Sequence, residues 1–154
     1  MIDYEGKTEI DVFFAGGLQI DATGACNLIG LGPYPNLKLR GPGTVGLAFL
    51  SRARRVVLYT LSHTTRTFVP KVDHVSGRGN TALVVTPLAT MDLQGGRMRL
   101  ASVHPGVSPH DVAANTGFEF LWEDVPTTAA PTAEELAILR ELDPEGIARL
   151  SVRR

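Results

Sequence analysis

One glycine-rich and proline-rich segment, residues 39–46, has the residue types best suited to chemistry in this sequence. It reads Leu-Arg-Gly-Pro-Gly-Thr-Val-Gly. The glycines at positions 43 and 46 remove side chains where a ligand could approach the main chain, and amides in the first turn of a helix face outward with partial positive charge. A thioester oxygen that develops negative charge would gain about 3–4 kcal/mol from each such donor. The alternative is a Pro-Gly turn that enters a helix and needs no ligand.

A second candidate group lies at the end of the first apolar run. Gly16 and Gly17 follow that run directly, and ligands of α/β sheets gather at the carboxyl ends of strands. The alternative is a tight turn in which a Cβ would clash. Gln19 follows two residues later and could donate to a carbonyl, although a glutamine in a hairpin is usually solvated. These residues form a second set of candidate binding groups.

The histidines and the cysteine offer no catalytic or metal-binding pattern. His63, His74, His104 and His110 have no spacing typical of metal ligands, so the sequence predicts that they are structural and that there is no metal site. Cys26, the single cysteine, lies in an apolar strand without a cationic neighbour. It is therefore not expected to be a reactive thiolate, and it cannot form an intrachain disulfide. No catalytic residue is identified.

The first half of the sequence predicts the elements that would position these groups. Residues 10–15 are typical of a buried strand that ends at glycine. Residues 18–30 are typical of a hairpin, and residues 30–43, with their prolines and glycines, of a loop. Thr44 is expected to cap a helix over residues 45–50, with Arg52, Arg54 and Arg55 near its C-terminus, where their charges complement the helix dipole.

The second half predicts further strands and two capped helices. Apolar or alternating runs predict strands at 56–60, 82–86, 98–103 and 118–122. Ser108 and Thr132 each begin a capping pattern, with an acidic residue three positions later, so helices are expected to follow both. The first should end near Asn115, and the second should be interrupted by Pro144. Together these elements predict an α/β fold in which helices pack against a mixed sheet.

Composition restricts the class of protein. The chain has 154 residues, of which 44% are hydrophobic and 20% charged, with a formal net charge of −1. This suits a single globular domain, 1–154, and argues against a nucleic-acid-binding protein or one that binds an acidic membrane surface. Nothing approaches the roughly 20 apolar residues of a membrane span. Because no secretory signal follows Met1, a cytoplasmic location is expected.

Several segments, taken in order, resemble one known family. Residues 11–21, with Gly24 and Asn27, are similar to the strand-and-hairpin signature of family I CoA-transferase β subunits. Residues 42–46 fall where that family has its glycine-rich loop. Further similarity is found at residues 66–73, 100–107 and 131–144, so the resemblance covers essentially the whole chain and corresponds to the C-terminal two-thirds of such a protein.

The resemblance implies a Rossmann-like, mixed-sheet domain of the sugar-phosphate isomerase/CoA-transferase type, here shortened at its N-terminus. It implies a CoA-transferase α-type subunit as partner, acyl-CoA thioesters as substrates, no permanently bound cofactor and no metal. A backbone amide of the glycine-rich loop contributes to the oxyanion site in that family. By this resemblance Gly43, Thr44 and Gly46 line the thioester site, and the Gly16, Gly17 and Gln19 group supports it.

Two departures from the family pattern affect the implied mechanism. Family members use a glutamate that attacks the acyl-CoA and forms an anhydride and then a glutamyl-CoA thioester. That glutamate lies before the Asp11 strand, so this sequence is expected to start too late to contain it, and Glu5 is not its counterpart. Val45 also stands where the family usually has an adjacent glycine. A steroid-ring-hydrolysing branch of the family and a non-catalytic, partner-binding subunit therefore remain alternatives.

Overall fold

The computed structural model describes residues 10–44 and 46–147, so Glu5 and Val45 lie outside the described residues. Its elements are strands β1 (Ile10–Gly16), β2 (Gln19–Asp21), β3 (Cys26–Asn27), β4 (Gly30–Leu31), β5 (Leu39–Arg40), β6 (Ala53–Tyr59), β7 (Phe68–Val69), β8 (Thr81–Val85), β9 (Ala89–Gln94) and β10 (Arg97–Val103), helices α1 (Pro109–Ala114) and α2 (Ala133–Leu142), and a 3-10 helix (Leu47–Arg52).

The main sheet has five strands in the order β1-β6-β8-β9-β10. The first three run parallel to one another, whereas β8, β9 and β10 are antiparallel neighbours. Parallel neighbours need a crossover connection, and the chain between β1 and β6 holds the hairpin, the glycine-rich loop and the 3-10 helix. The predicted α/β fold with a mixed sheet is confirmed, and the candidate site lies within this crossover.

The hydrophobic core covers one face of this sheet. Residues of neighbouring strands that point to this face are almost completely buried, and Leu47 and Leu50 of the 3-10 helix pack among them. The strand residues are Ala15, Val56, Leu58, Val84, Met91, Met98 and Leu100. The 3-10 helix is thus anchored by its apolar side chains, which fixes the loop that precedes it.

The predicted hairpin at residues 18–30 is confirmed by the antiparallel pair β2 and β3. Asp21 closes its turn, because the Oδ1 atom accepts hydrogen bonds from the amides of Thr23 and Ala25, at 2.9 and 3.2 Å. Gly24 adopts φ +74° in this turn, a conformation that favours glycine. β2 also pairs with β7 in parallel, so the hairpin belongs to a second, three-stranded sheet.

The prediction of an α-helix over residues 45–50, capped by Thr44, is wrong in the type of helix and in the capping residue. The structure has a 3-10 helix over Leu47–Arg52, and its N-cap is Gly46 at φ +81°, with no side chain accepting a hydrogen bond. Thr44 therefore does not cap a helix. Arg54 and Arg55 belong to β6 rather than to a helix C-terminus, so only Arg52 occupies the position predicted for all three arginines.

Three further expectations are corrected by the structure, and one strand was not predicted. The segment predicted as loop, 30–43, contains β4 and β5, which pair with each other. β9 is not evident from the sequence. Residues 118–122 form no ladder strand, and Leu121 makes a single bridge to Arg99. β1 is not a buried strand, because it forms an edge of the sheet and Phe14 is 66% exposed.

Both predicted helix caps after residue 107 are confirmed. Ser108 and Asp111 form a reciprocal capping box at α1, whose C-cap is Asn115. Thr132 and Glu135 do the same at α2, which ends before Pro144. No helix among residues 10–44 and 46–147 is long and apolar enough to cross a membrane.

Candidate functional site

The glycine-rich loop has two glycines whose missing side chains leave open space. Gly43 adopts φ +98°, and a Cβ there would meet nothing within 4 Å. Gly46 adopts φ +81°, and its Cβ would meet only the Phe13 ring, at 4.0 Å. Gly41 differs, because a Cβ there would overlap the Leu28 carbonyl. Close packing therefore explains why residue 41 is a glycine, whereas the main chain at Gly43 and Gly46 borders open space.

The amides of this loop are not equivalent. The Gly43 amide donates to the Leu28 carbonyl at 2.9 Å, so it is not available to a ligand. The Thr44 and Gly46 amides have no acceptor among the described residues, although their carbonyls accept from Leu47 and Phe49. The loop therefore has two amide donors without an acceptor, at Thr44 and Gly46, and they lie close in sequence to the open space at Gly43.

The two candidate groups are connected by β1. The Phe13 ring lies against Gly46, and Gly16 ends the same strand three residues later, roughly 10 Å along an extended chain. A Cβ at Gly17 would come within 2.9 Å of the Gln19 carbonyl and 3.2 Å of the Cys26 Cβ. The requirement for glycine at position 17 is therefore explained by close packing of the turn.

Gln19 is buried and holds the hairpin in place. It is 6% exposed, and its Oε1 atom accepts from Asn27 Nδ2 at 2.8 Å and from the Asp73 amide at 2.9 Å. The expectation of a solvated hairpin glutamine is therefore wrong. Its side-chain oxygen joins the hairpin to the chain that follows β7, which fixes the turn after Gly16 and Gly17.

Cys26 has the properties of a structural thiol. It is fully buried, and its Sγ donates to the Gly77 carbonyl at 3.6 Å. Burial raises its pKa to about 11, so the thiol stays protonated at neutral pH. Its burial and its raised pKa support the prediction that Cys26 is not a reactive thiolate.

A buried polar network fixes the carboxyl end of β8. His63 is 6% exposed, and its Nδ1 and Nε2 atoms lie 2.8 Å from Thr86 Oγ1 and 3.0 Å from Thr116 Oγ1. The imidazole stacks on the Phe68 ring with centroids 4.1 Å apart. Burial lowers the pKa of His63 to about 4. The ring is therefore neutral at pH 7 and joins three separate segments of the chain.

The other three histidines also contact residues that are distant in the sequence. His104 Nε2 lies 2.9 Å from the Thr86 carbonyl, and Nδ1 lies 2.9 Å from Thr128 Oγ1. His74 Nε2 lies 2.8 Å from the Gly32 carbonyl. His110 is exposed and meets Trp122 edge to face. Their partners are distant in sequence, which is why the sequence predicts a structural role without identifying the network.

Two surface depressions do not reach the loop, and the described residues provide no metal centre. No group of three or more His, Cys, Asp or Glu side chains in this part of the chain could hold a metal ion. Two surface depressions, of about 560 and 750 Å³, lie along β10 and residues 113–126, and none of their lining residues belongs to the loop. A ligand in the open space at Gly43 and Gly46 would meet main-chain donors of the loop.

Comparison with known proteins gives matches over most of the chain. The family model described as Coenzyme A transferase matches residues 2–115. A 3-oxoadipate CoA-transferase subunit of Pseudomonas knackmussii is 35% identical over 87% of this chain and 59% of its own length. The cholesterol ring-cleaving hydrolase IpdB subunit of Rhodococcus jostii is 33% identical over 86% of this chain and 59% of that protein.

Solved structures show the same fold. The decarboxylase AibA/AibB has a TM-score of 0.88 at 28% identity, covering 99% of this chain and 65% of the matched chain. R. jostii IpdAB has a TM-score of 0.86 at 31% identity, covering 93% and 65%. The chain thus spans about 60% of the length of the curated relatives it matches.

Proposed function

Because the chain belongs to the coenzyme A transferase family, we propose that it acts as the β-type subunit of a heteromeric CoA-transferase. Such an enzyme moves CoA between an acyl-CoA thioester and a carboxylic acid. The observation that carries the proposal is the pair of amides at Thr44 and Gly46, which have no acceptor among the described residues and lie beside the open space at Gly43. The 35% identity to a 3-oxoadipate CoA-transferase subunit supports the same activity.

In this proposal the thioester carbonyl lies over the loop and accepts from the amides of Thr44 and Gly46. When a nucleophile attacks, negative charge develops on that oxygen, and fixed donors then bind it more strongly than they bind the ground-state carbonyl. The absent side chain of Gly43 admits the acyl group. Gly16 and Gly17 border this site at the end of β1, and Gln19 keeps their turn in place through Asn27 and Asp73.

The remaining groups of the active site are proposed to come from outside the described residues. None of the structural observations assigns a nucleophilic role to a carboxylate between residues 10 and 147. We propose that a CoA-transferase α-type subunit completes the pocket, as the paired names IpdAB and AibA/AibB suggest for those relatives. CoA is brought by the acyl-CoA substrate, so the proposal requires no permanently bound cofactor and involves neither nucleic acid nor a membrane.

A hydrolase subunit is the second candidate. The identity to the ring-cleaving hydrolase subunit, 33%, is close to that for the transferase subunit. The same loop would then stabilise an oxyanion formed when water attacks, and no acceptor acid would be needed. A subunit that binds its partner without catalysis is the third alternative.

A cytoplasmic location is also proposed. The single cysteine is buried as a free thiol, and a chain without disulfides suits a reducing compartment. Fractionation of cells producing the protein, followed by immunodetection, tests this; recovery from an extracellular or membrane fraction would contradict it.

The proposed activity is tested by mixing the chain and a co-produced α-type subunit with labelled acetyl-CoA and 3-oxoadipate. Transfer of CoA to the acid supports the transferase. Loss of thioester without an acceptor supports the hydrolase instead, and absence of both reactions, with a complex still formed, supports the non-catalytic alternative.

A matched pair of variants tests whether the loop carries this activity. Gly46→Val places a side chain in the open space at φ +81°, and we expect it to lower the rate by roughly 10²-fold or more. Gly96→Val is the control, because Gly96 lies at φ +77° with nothing within 4 Å of its Cβ, in the turn between β9 and β10. Both substitutions impose similar backbone strain. Equal rates for the two variants would contradict the role of the loop.

A further inference from the structure

Positive charge is concentrated in one part of the chain. Residues 22–72, which include β4, β5, the glycine-rich loop, the 3-10 helix and β6, contain no Asp or Glu. With histidine neutral, the formal charge of this segment is +7, whereas that of the whole chain is −1. The loop therefore lies in a positively charged segment, which attracts anionic ligands. Its cations are Lys38, Arg40, Arg52, Arg54, Arg55, Arg66 and Lys71.

Two of these cations, Lys38 and Arg40, belong to the hairpin of β4 and β5 that leads into the loop. The Lys38 amide donates to the Leu31 carbonyl at 2.8 Å, which continues the pairing of the two strands. Side chains alternate along an extended strand, so Lys38 and Arg40 lie on one side of the hairpin and Leu39 on the other. Both are exposed, and neither forms a salt bridge with another described residue. Both are therefore available to an external anion.

The hairpin is held in place by two residues that follow β7. The Gly32 amide donates to Asp73 Oδ2 at 2.7 Å, and His74 Nε2 lies 2.8 Å from the Gly32 carbonyl oxygen. The stem of Lys38 packs beside Gly32, since a Cβ at position 32 would come within 3.3 Å of Lys38 Cγ. The Asp73 carboxylate thus binds the main chain of the hairpin, and the two cations lie on a fixed support, which lowers the entropic cost of binding a ligand.

The distance from these cations to the loop amides suits a CoA thioester. Thr44 is four positions after Arg40 in the sequence, so their Cα atoms lie at most roughly 14 Å apart. The pantetheine arm joins the thioester sulfur to the pyrophosphate through about as many bonds as four residues of main chain, which is roughly 14 Å when extended. A thioester carbonyl at the Thr44 and Gly46 amides therefore leaves the phosphates within reach of the Lys38 and Arg40 side chains.

We propose that Lys38 and Arg40 bind the phosphate groups of the CoA nucleotide and so anchor the acyl-CoA whose carbonyl lies over the loop. The Arg40 guanidinium forms two parallel hydrogen bonds with a phosphate, and the Lys38 ammonium adds a point charge. This inference rests on the proposed function, because that function supplies the ligand. Neither side chain contacts the reacting atoms, so both contribute to substrate binding rather than to the chemical step.

The arginines of β10 lie beside carboxylates and are less suited to a phosphate. Arg97 lines the same depression as Glu119, and Arg99 Nε donates to Asp92 Oδ1 at 2.9 Å. A carboxylate beside an arginine repels a bound phosphate. Arg97, which is exposed and lies outside residues 22–72, therefore provides a matched control for the two cations of the hairpin.

The test titrates the full 154-residue chain, alone and co-produced with an α-type subunit, with CoA and with pantetheine, by isothermal titration calorimetry. Pantetheine keeps the thiol arm but has no phosphate. We expect CoA to bind at least about tenfold more tightly than pantetheine at low salt, and added salt to reduce this difference. The double variant Lys38→Gln/Arg40→Gln should lose at least about tenfold in affinity for CoA and none for pantetheine. Arg97→Gln should bind both ligands as the wild type does.

Equal affinities for CoA and pantetheine would overturn the proposal, as would the absence of CoA binding in both preparations. An equal loss of CoA affinity in Arg97→Gln would show a general effect of charge and would also overturn it. If the double variant keeps its affinity for CoA but no longer forms the complex with the α-type subunit, the two cations bind an acidic surface of the partner instead. No acyl transfer is measured, so nucleotide binding can succeed even if the proposed transferase activity fails.

Discussion

Acid should destabilise the fold through His63, and the direction follows from its burial. His63 is 6% exposed, and its Nδ1 atom lies 2.8 Å from Oγ1 of Thr86, a hydroxyl that donates to the Ala89 carbonyl at 3.0 Å. Its Nε2 atom lies 3.0 Å from Thr116 Oγ1, which donates to the Val112 carbonyl at 2.8 Å. A second ring proton would place a positive charge in this buried site, where desolvation disfavours it.

The size of the effect follows from the two pKa values. Burial lowers the pKa of His63 to about 4 in the folded chain, from 6.5. Between these values the unfolded chain binds one more proton than the folded chain, so the free energy of unfolding falls as the pH falls. From pH 8 to pH 4.5 the loss attributable to this ring is roughly 2–3 kcal/mol. Below pH 4 it stops growing, because both states are protonated.

Urea unfolding at a series of pH values measures this loss. His63→Gln replaces the ring with a neutral amide, so its unfolding free energy should fall by roughly 2–3 kcal/mol less than that of the wild type between pH 8 and pH 4.5. His110→Gln, an exposed control, should follow the wild type. The titration of all carboxylates is common to the three proteins and cancels. Parallel curves for wild type and His63→Gln would refute the reasoning.

Three further predictions concern groups whose partners are known. Gly41→Ala should lower the free energy of unfolding by about 2 kcal/mol or more, because the added Cβ would overlap the Leu28 carbonyl. Gly43→Ala should lower it by only about 1 kcal/mol, because the added Cβ meets no atom and only the backbone is strained. Equal losses by urea unfolding would contradict the packing assignment. Cys26, whose pKa burial raises to about 11, should resist iodoacetamide at pH 8 until the chain is unfolded; rapid labelling of folded protein would count against this. Gln19→Leu should lower the free energy of unfolding by about 2 kcal/mol, because the Asp73 amide would lose its acceptor. An unchanged unfolding midpoint would contradict this structural role of Gln19.

Local rules were sufficient for much of the fold. The capping boxes at Ser108 and Thr132 were predictable because both partners lie within one helical turn. The hairpin was predictable because Asp21 and Gly24 close its turn from within. In each case the residues that determine the structure are neighbours in sequence, so the pattern contains the interaction. The single domain expected over residues 1–154 stays a prediction.

Other features of the fold depend on tertiary contacts, which local sequence patterns do not predict. Thr44 has the side chain of a helix cap, but Gly46 takes the left-handed conformation and begins a 3-10 helix instead. Residues 118–122 have the composition of a strand, yet Leu121 alone bridges to β10. The exposure of Phe14 depends on the place of β1 in the strand order, which no local pattern specifies.

The residues of the candidate site stay a prediction from the sequence, and which of their amides are free could not be predicted at all. Spacing alone indicated Gly43, Thr44 and Gly46. It could not show that the Gly43 amide is used by the Leu28 carbonyl, since this contact joins the loop to the hairpin. The relatives are named as transferase, hydrolase and decarboxylase components, so the fold alone does not determine the reaction.

The most direct test of the account is a crystal structure of the chain with an α-type subunit and an unreactive acyl-CoA analogue. We expect the carbonyl oxygen of the analogue about 3 Å from the amide nitrogens of Thr44 and Gly46. An analogue whose carbonyl is bound elsewhere, with both amides facing solvent, would contradict the account.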